Sequence, residues 1–164
     1  MDKQQARLDT LPLMVLIDAG NVIERALEKR LLPLGIAVSQ ARILEFLYLA
    51  GQPLNPGLLA ALLLQEPHSV SGLLNRLEDL DLITRSRTRR DRQVVLVALT
   101  ESGRSLAAET MSMTHELARE VRDMFSSEGG RHALELIENP RDRALTKVGV
   151  DEKARKEALK HVWD

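Results

Sequence analysis

Pro67-His68-Ser69-Val70-Ser71-Gly72-Leu73-Leu74-Asn75-Arg76-Leu77-Glu78-Asp79-Leu80 runs straight into Asp81-Leu82-Ile83-Thr84-Arg85-Ser86-Arg87-Thr88-Arg89-Arg90-Asp91-Arg92-Gln93. In the first half, Val70, Leu73, Leu74, Leu77 and Leu80 stand at i, i+3, i+4, i+7 and i+10, the spacing of one helical face. His68, Ser71, Gly72, Asn75, Arg76 and Asp79 share the opposite side, with Ser69 at its edge. Short polar side chains let a backbone approach a surface closely. Gly72 weakens a helix, so it needs a reason, and close approach is one. In the second half, Arg85, Arg87, Arg89, Arg90 and Arg92 are five arginines within eight residues. They lie between two β-type runs, Leu82-Ile83-Thr84 and Val94-Val95-Leu96-Val97-Ala98-Leu99. Crowded positive charge at a hairpin tip repels itself and gains nothing from burial, but it serves a protein that meets a polyanion.

The charge is local. The chain has 23 basic and 24 acidic residues, a formal net charge of −1. Residues 84–93 hold five basic and one acidic residue, which leaves 18 basic and 23 acidic elsewhere. A near-neutral chain with one positive patch fits a confined electrostatic footprint. On charge alone a solvated loop fits equally well. The helix beside the patch favours nucleic acid.

Working outward, Glu66-Pro67 opens this helix, and Asn55-Pro56 opens a shorter one through about Leu64, each with proline at the first helical position. Two short helices separated by a few residues have the dimensions of a helix-turn-helix. Before them, Ser39 is placed to cap a helix at 40–50 with the stripe Ile43, Leu44, Leu47 and Ala50, closed by Gly51 and Pro53. The first ten residues are polar and read as loose. Leu16, Ile23, Leu27, Leu31 and Leu34 give a helix over 13–34, ended by Pro33 and Gly35. After the hairpin, Thr100 is placed to cap a long helix from Glu101 to about Phe125, striped by Leu106, Thr110, Met113, Leu117, Val121 and Met124. So long a helix needs another long helix as partner, from this chain or a second copy. A shorter helix over 131–138 is read as ending at Asn139-Pro140, and a charged helix follows near 151–162.

Composition narrows the function classes. There are 164 residues, 44% apolar and only 2% aromatic, so a core must be built from Leu, Val, Ile and Ala. With no cysteine, disulfides and thiolate metal sites are excluded. Without a signal-peptide pattern or an uncharged apolar run approaching the ~18–20 residues of a membrane span, the expected protein is soluble and cytoplasmic, with no membrane partner. Gly-x-Ser-x-Gly, phosphate-loop and His-Glu-x-x-His motifs are missing, so no enzyme, cofactor or metal centre is expected. His115 with Glu116 and Glu120 is the nearest approach to a metal set, without an i, i+4 histidine pair.

Three stretches together resemble the MarR family of winged-helix transcription regulators. They are Ser71-Gly72-Leu73-Leu74-Asn75-Arg76-Leu77-Glu78-Asp79-Leu80-Asp81-Leu82-Ile83-Thr84-Arg85, Asp91 placed nine residues before Thr100, and Leu99-Thr100-Glu101-Ser102-Gly103. The resemblance covers about residues 13–138. It implies a mainly α chain with a small β-hairpin wing: a winged helix-turn-helix DNA-binding domain at 36–100, dimerisation helices at 11–35 and 101–140, and a tail at 141–164. Two positions depart from the family. Gln93 stands where the family has the minor-groove arginine, so that role passes to Arg90 or Arg92, or is weaker here. Asp81 stands where the family commonly has glycine.

The expected function is sequence-specific binding of double-stranded DNA by a homodimer on a palindromic operator, as a ligand-responsive repressor. The contacts would come from His68, Ser69, Ser71, Asn75 and Arg76 in the major groove and from Arg85, Arg87, Arg89, Arg90 and Arg92 on the wing. Asp91 would brace a neighbouring arginine. The resemblance also implies a small-molecule effector, for which Arg42, Tyr48 and His115 are the candidate polar groups. The alternative is a helical protein-interaction module on the same scaffold, without specific DNA binding.

Overall fold

The computed structural model describes residues 2–87, 94–147 and 152–163. The chain divides into two compact units, Met1–Val38 and Ser39–Asp164.

The first unit is dominated by α1, Lys3–Leu31. Residues 3–10 are therefore helical, contrary to the expectation that the first ten residues are loose. Asp2 caps the helix through its side chain, which accepts from the Gln4 amide at 3.4 Å, and Pro12 sits inside it. A proline deletes one amide donor and strains the preceding turn, but a long helix on both sides can absorb that. A 3-10 turn at Leu32–Leu34 follows and ends at Gly35, whose φ of 64° favours a residue without a Cβ. Leu11, Leu13, Met14, Val15, Ile17 and Val22 are all exposed along α1.

All but the first residue of α2, Val38–Ala50, belongs to the second unit, and Ser39 lies in the first turn of that helix rather than ahead of it. Next is α3, Pro56–Leu63, capped as expected: Asn55 accepts from the Leu58 amide at 2.9 Å. Leu64 closes it in the left-handed region at φ 58°, an unusual place for leucine. That reversal leaves only 64–66 between α3 and α4, Pro67–Asp79, which is a helix-turn-helix connection. The hairpin pairs β1, Ile83–Arg87, with β2, Val95–Leu99, antiparallel from Ile83↔Leu99 to Arg87↔Val95. Leu54 adds a third edge through paired backbone bonds with Val97 at 3.0 and 2.8 Å. The core is aliphatic: Ile43, Leu44, Leu59, Leu62, Val70, Leu74, Leu77, Ile83 and Val97 are fully buried.

Three helices complete this unit: α5, Glu101–Met124, α6, Glu128–Lys147, and α7, Glu152–Trp163. The expected stop at Asn139-Pro140 does not occur, since α6 continues to Lys147. An ion pair from Arg141 to Glu138 at 3.3 Å spans the proline and supports the helix on either side. The tail helix α7 packs along α3 and also touches α6. This placement follows from the composition of α3, Pro-Gly-Leu-Leu-Ala-Ala-Leu-Leu, which has no polar face. A helix apolar all round must be covered all round. Residues 59–63 are in fact buried in one continuous run.

Candidate nucleic-acid interface

The outward face of α4 is built by its inward one. Val70, Leu74 and Leu77 are buried, which rotates His68, Ser69, Ser71, Asn75 and Arg76 into solvent. Gly72 lies among them, and a Cβ built there would meet nothing within 4 Å. The fold therefore gives no internal reason for glycine at this position.

The wing is tied to α4 at the start of β1 and again at its middle. At its start, the helix closes with the Leu82 amide bonded to the Leu77 carbonyl and the Asp81 amide bonded to the Glu78 carbonyl, both at 2.9 Å. This is a Schellman closure, with Asp81 in the left-handed position at φ 55°. Asp81 thus does the work for which glycine is better suited. The α5 N-terminus then locks the same corner. The Thr100 hydroxyl donates to the Asp81 carbonyl at 2.7 Å and accepts from the Gly103 amide at 2.9 Å, while the Thr100 amide donates to the Leu82 carbonyl at 3.1 Å. A Cβ on Gly103 would fall onto the Leu82 carbonyl group. The Leu-Thr-x-x-Gly pattern at 99–103 is thus the requirement for seating a helix cap on a helix end.

Further along β1, Arg85 turns back toward α4. Its Nε is 3.5 Å from Glu78 Oε2, its NH2 group reaches the Ser71 carbonyl at 3.5 Å, and its side chain is 25% exposed. The ion pair lacks hydrogen-bond geometry at Nε. Arg85 therefore sits as a strut between wing and helix rather than as a cation directed outward, which departs from its expected role. Arg87, two residues on, is exposed. Arg89, Arg90, Asp91, Arg92 and Gln93 lie outside the described residues, as do the questions attached to them.

Two of the three effector candidates, Arg42 and Tyr48, lie on α2. Arg42 is half-buried, donates to the Leu62 carbonyl at 3.4 Å and stands 5.6 Å above the Phe46 ring. Tyr48 is six residues further along the same helix, about 240° round it at ~100° per residue. His115 is exposed on α5. Among the described residues no group of three His, Asp or Glu side chains is placed to hold a metal, so His115, Glu116 and Glu120 do not form a set.

Sequence reading missed one polar feature. Glu45 on α2 faces Thr110 on α5, and burial pushes its carboxyl above the usual range, against the lowering influence of Thr110 and Arg42. The Thr110 hydroxyl is fully buried and lies 2.9 Å from the Ala107 carbonyl, so two acceptors compete for one proton. A threonine within an otherwise apolar stripe was the available signal.

Residues 34–93 match the model of the MarR family. A comparison with curated proteins found no match. Among solved structures, the S. aureus MepR–DNA complex is 22% identical, with a TM-score of 0.70 over 80% of this chain and 96% of that one. The ligand-free organohalide-sensing regulator RdhR is 21% identical, with a TM-score of 0.72 over 88% and 86%. A mutant of MarR from E. coli complexed with operator DNA is 20% identical, with a TM-score of 0.66 over 85% and 98%. At these identities the likeness is one of fold. Among the described residues no single helix is long and apolar enough to cross a membrane. Residues 34–93 match the MarR family model, and the chain has the winged-helix fold of the MarR-type regulators it is similar to.

Proposed function

We propose that the protein is a homodimeric transcription regulator of the cytoplasm that reads double-stranded DNA and represses from a palindromic operator. The observation that carries this reading is the outer face of α4, with His68, Ser69, Ser71, Asn75 and Arg76 exposed around a Gly72 that the fold itself does not require. Such a face suits a helix lying in a major groove, where Asn pairs with adenine and Arg with guanine, each pair contributing about 1–3 kcal/mol of discrimination. Arg85 holds the wing to that helix, and Arg87 with Arg89, Arg90 and Arg92 supplies charge toward the phosphates. Residues 36–100 form the DNA-binding domain in this reading.

Dimerisation through 11–35 and 101–140 is supported by apolar side chains that a single copy leaves in water. Leu13, Ile17 and Val22 are exposed on α1, Met124 at the end of α5, and Leu134, Leu136 and Ile137 on α6. Exposure on this scale is a sign of an interface. Two copies on a twofold axis would read half-sites about one helical turn, ~34 Å, apart. The RdhR structure has also been solved with 2,4-dichlorophenol bound, and a small effector that releases DNA belongs to the same proposal. Selection of bound sequences from a random duplex pool tests it. A two-fold symmetric consensus is expected. Recovery of no consensus would overturn sequence-specific binding and favour the protein-interaction module.

A further inference from the structure

The tail helix has two unlike sides. Arg155, Leu159 and Val162, at i, i+4 and i+7, are half-buried to buried and form the side turned to the fold. Lys153, Lys156 and Lys160, at i, i+3 and i+7, are all exposed on the other side, with Glu157 among them. Covering α3 needs only the first side. Across Glu152–Trp163 there are four Lys or Arg and two Glu, a local +2 in a chain whose formal net charge is −1. Position adds meaning to that charge. α7 lies along α3, the helix preceding α4 in the helix-turn-helix. In this motif the second helix enters the groove while the first crosses the sugar-phosphate backbone.

Resting on the proposed function, we infer that α7 is an added DNA-contacting element, which lays Lys153, Lys156 and Lys160 against backbone phosphates flanking the segment read by α4. It would raise affinity without adding sequence preference, because phosphate contacts position a protein but do not discriminate bases. Each neutralised phosphate releases condensed counterions, so the contribution appears in the salt dependence of binding.

The test uses the full chain and a 30-base-pair duplex of arbitrary sequence, followed by fluorescence anisotropy over a series of salt concentrations. The triple variant Lys153→Gln, Lys156→Gln, Lys160→Gln should flatten the slope of log K against log salt by about 2–3 per bound protomer. Glu157→Lys, on the same row, should steepen it by about 1. Melting curves of both variants check that the fold is retained. A steep wild-type slope left unchanged by both variants would overturn the inference and leave α7 as a cover for α3. A wild-type protein without salt-dependent binding would instead remove the DNA-binding reading itself, and this inference with it.

Discussion

Two helical glycines, Gly103 and Gly72, stand in regions with opposite logic. Around Gly103 the backbone groups of Asp81, Leu82 and Thr100 are committed to one another, and the helix sits so close to the Leu82 carbonyl that no side chain fits. Around Gly72 there is open space, and the neighbouring polar side chains face solvent. The first region uses its polar chemistry to fix where the wing leaves the helix. The second holds its polar chemistry in reserve for a surface that is not part of the chain. The contrast teaches that a glycine in a helix has to be explained either by its own fold or by something the fold meets.

The largest effect should come from Gly103→Ala. Its Cβ must displace backbone rather than a flexible side chain, so a loss of about 3 kcal/mol is expected, the upper range for an overpacked site. Urea denaturation measures it, and a variant as stable as wild type would show that the corner yields easily. Gly72→Ala should do the reverse. It meets no neighbour, so it should gain up to about 1 kcal/mol from helix propensity, while weakening binding to the selected DNA by crowding the approach. A stabilised variant with unchanged affinity would remove the proposed reason for the glycine.

The smallest effect concerns Glu45, a titrating group held off its usual range. Burial raises the folded-state pKa of Glu45, so the folded state holds that proton more tightly than the unfolded chain. The contribution of Glu45 to stability is therefore fully present in acid, and it is lost as pH rises through the raised pKa. Glu45→Gln should be more stable than wild type at neutral pH, with the advantage fading as the solution is acidified. Melting temperatures of both proteins across that range check the sign. A neutral-pH loss instead would mean that the Thr110 and Arg42 contacts outweigh the desolvation.

Much of this fold was legible because its signals are local. Asn55-Pro56 and Glu66-Pro67 mark helix starts by the backbone chemistry of their own residues, and the 3–4 spacing in 67–80 fixes which side of the helix is wet. Pro140, misread as a boundary, lies like Pro12 within a long helix whose flanking residues sustain the structure around one lost amide bond. Arg85 is instructive among the site residues. Its sequence neighbours place it with the other arginines, yet Glu78, seven positions earlier and one residue before the helix end, draws it back. The partner of a long charged side chain is a property of the corner, not of the run in which the residue occurs.

By itself, then, the chain determined its helices, its hairpin and the polar side of α4, since periodicity, caps and turn residues act over a few positions. Only the tertiary structure decided that Arg85 braces the wing, that Thr100 and Gly103 lock onto Asp81 and Leu82, that Leu54 joins the sheet, and that the tail helix covers α3. Each of those depends on groups far apart in sequence that meet only after the aliphatic core has closed. Ion pairs, backbone contacts and apolar covers are fixed by distance in space, which spacing along the chain does not encode.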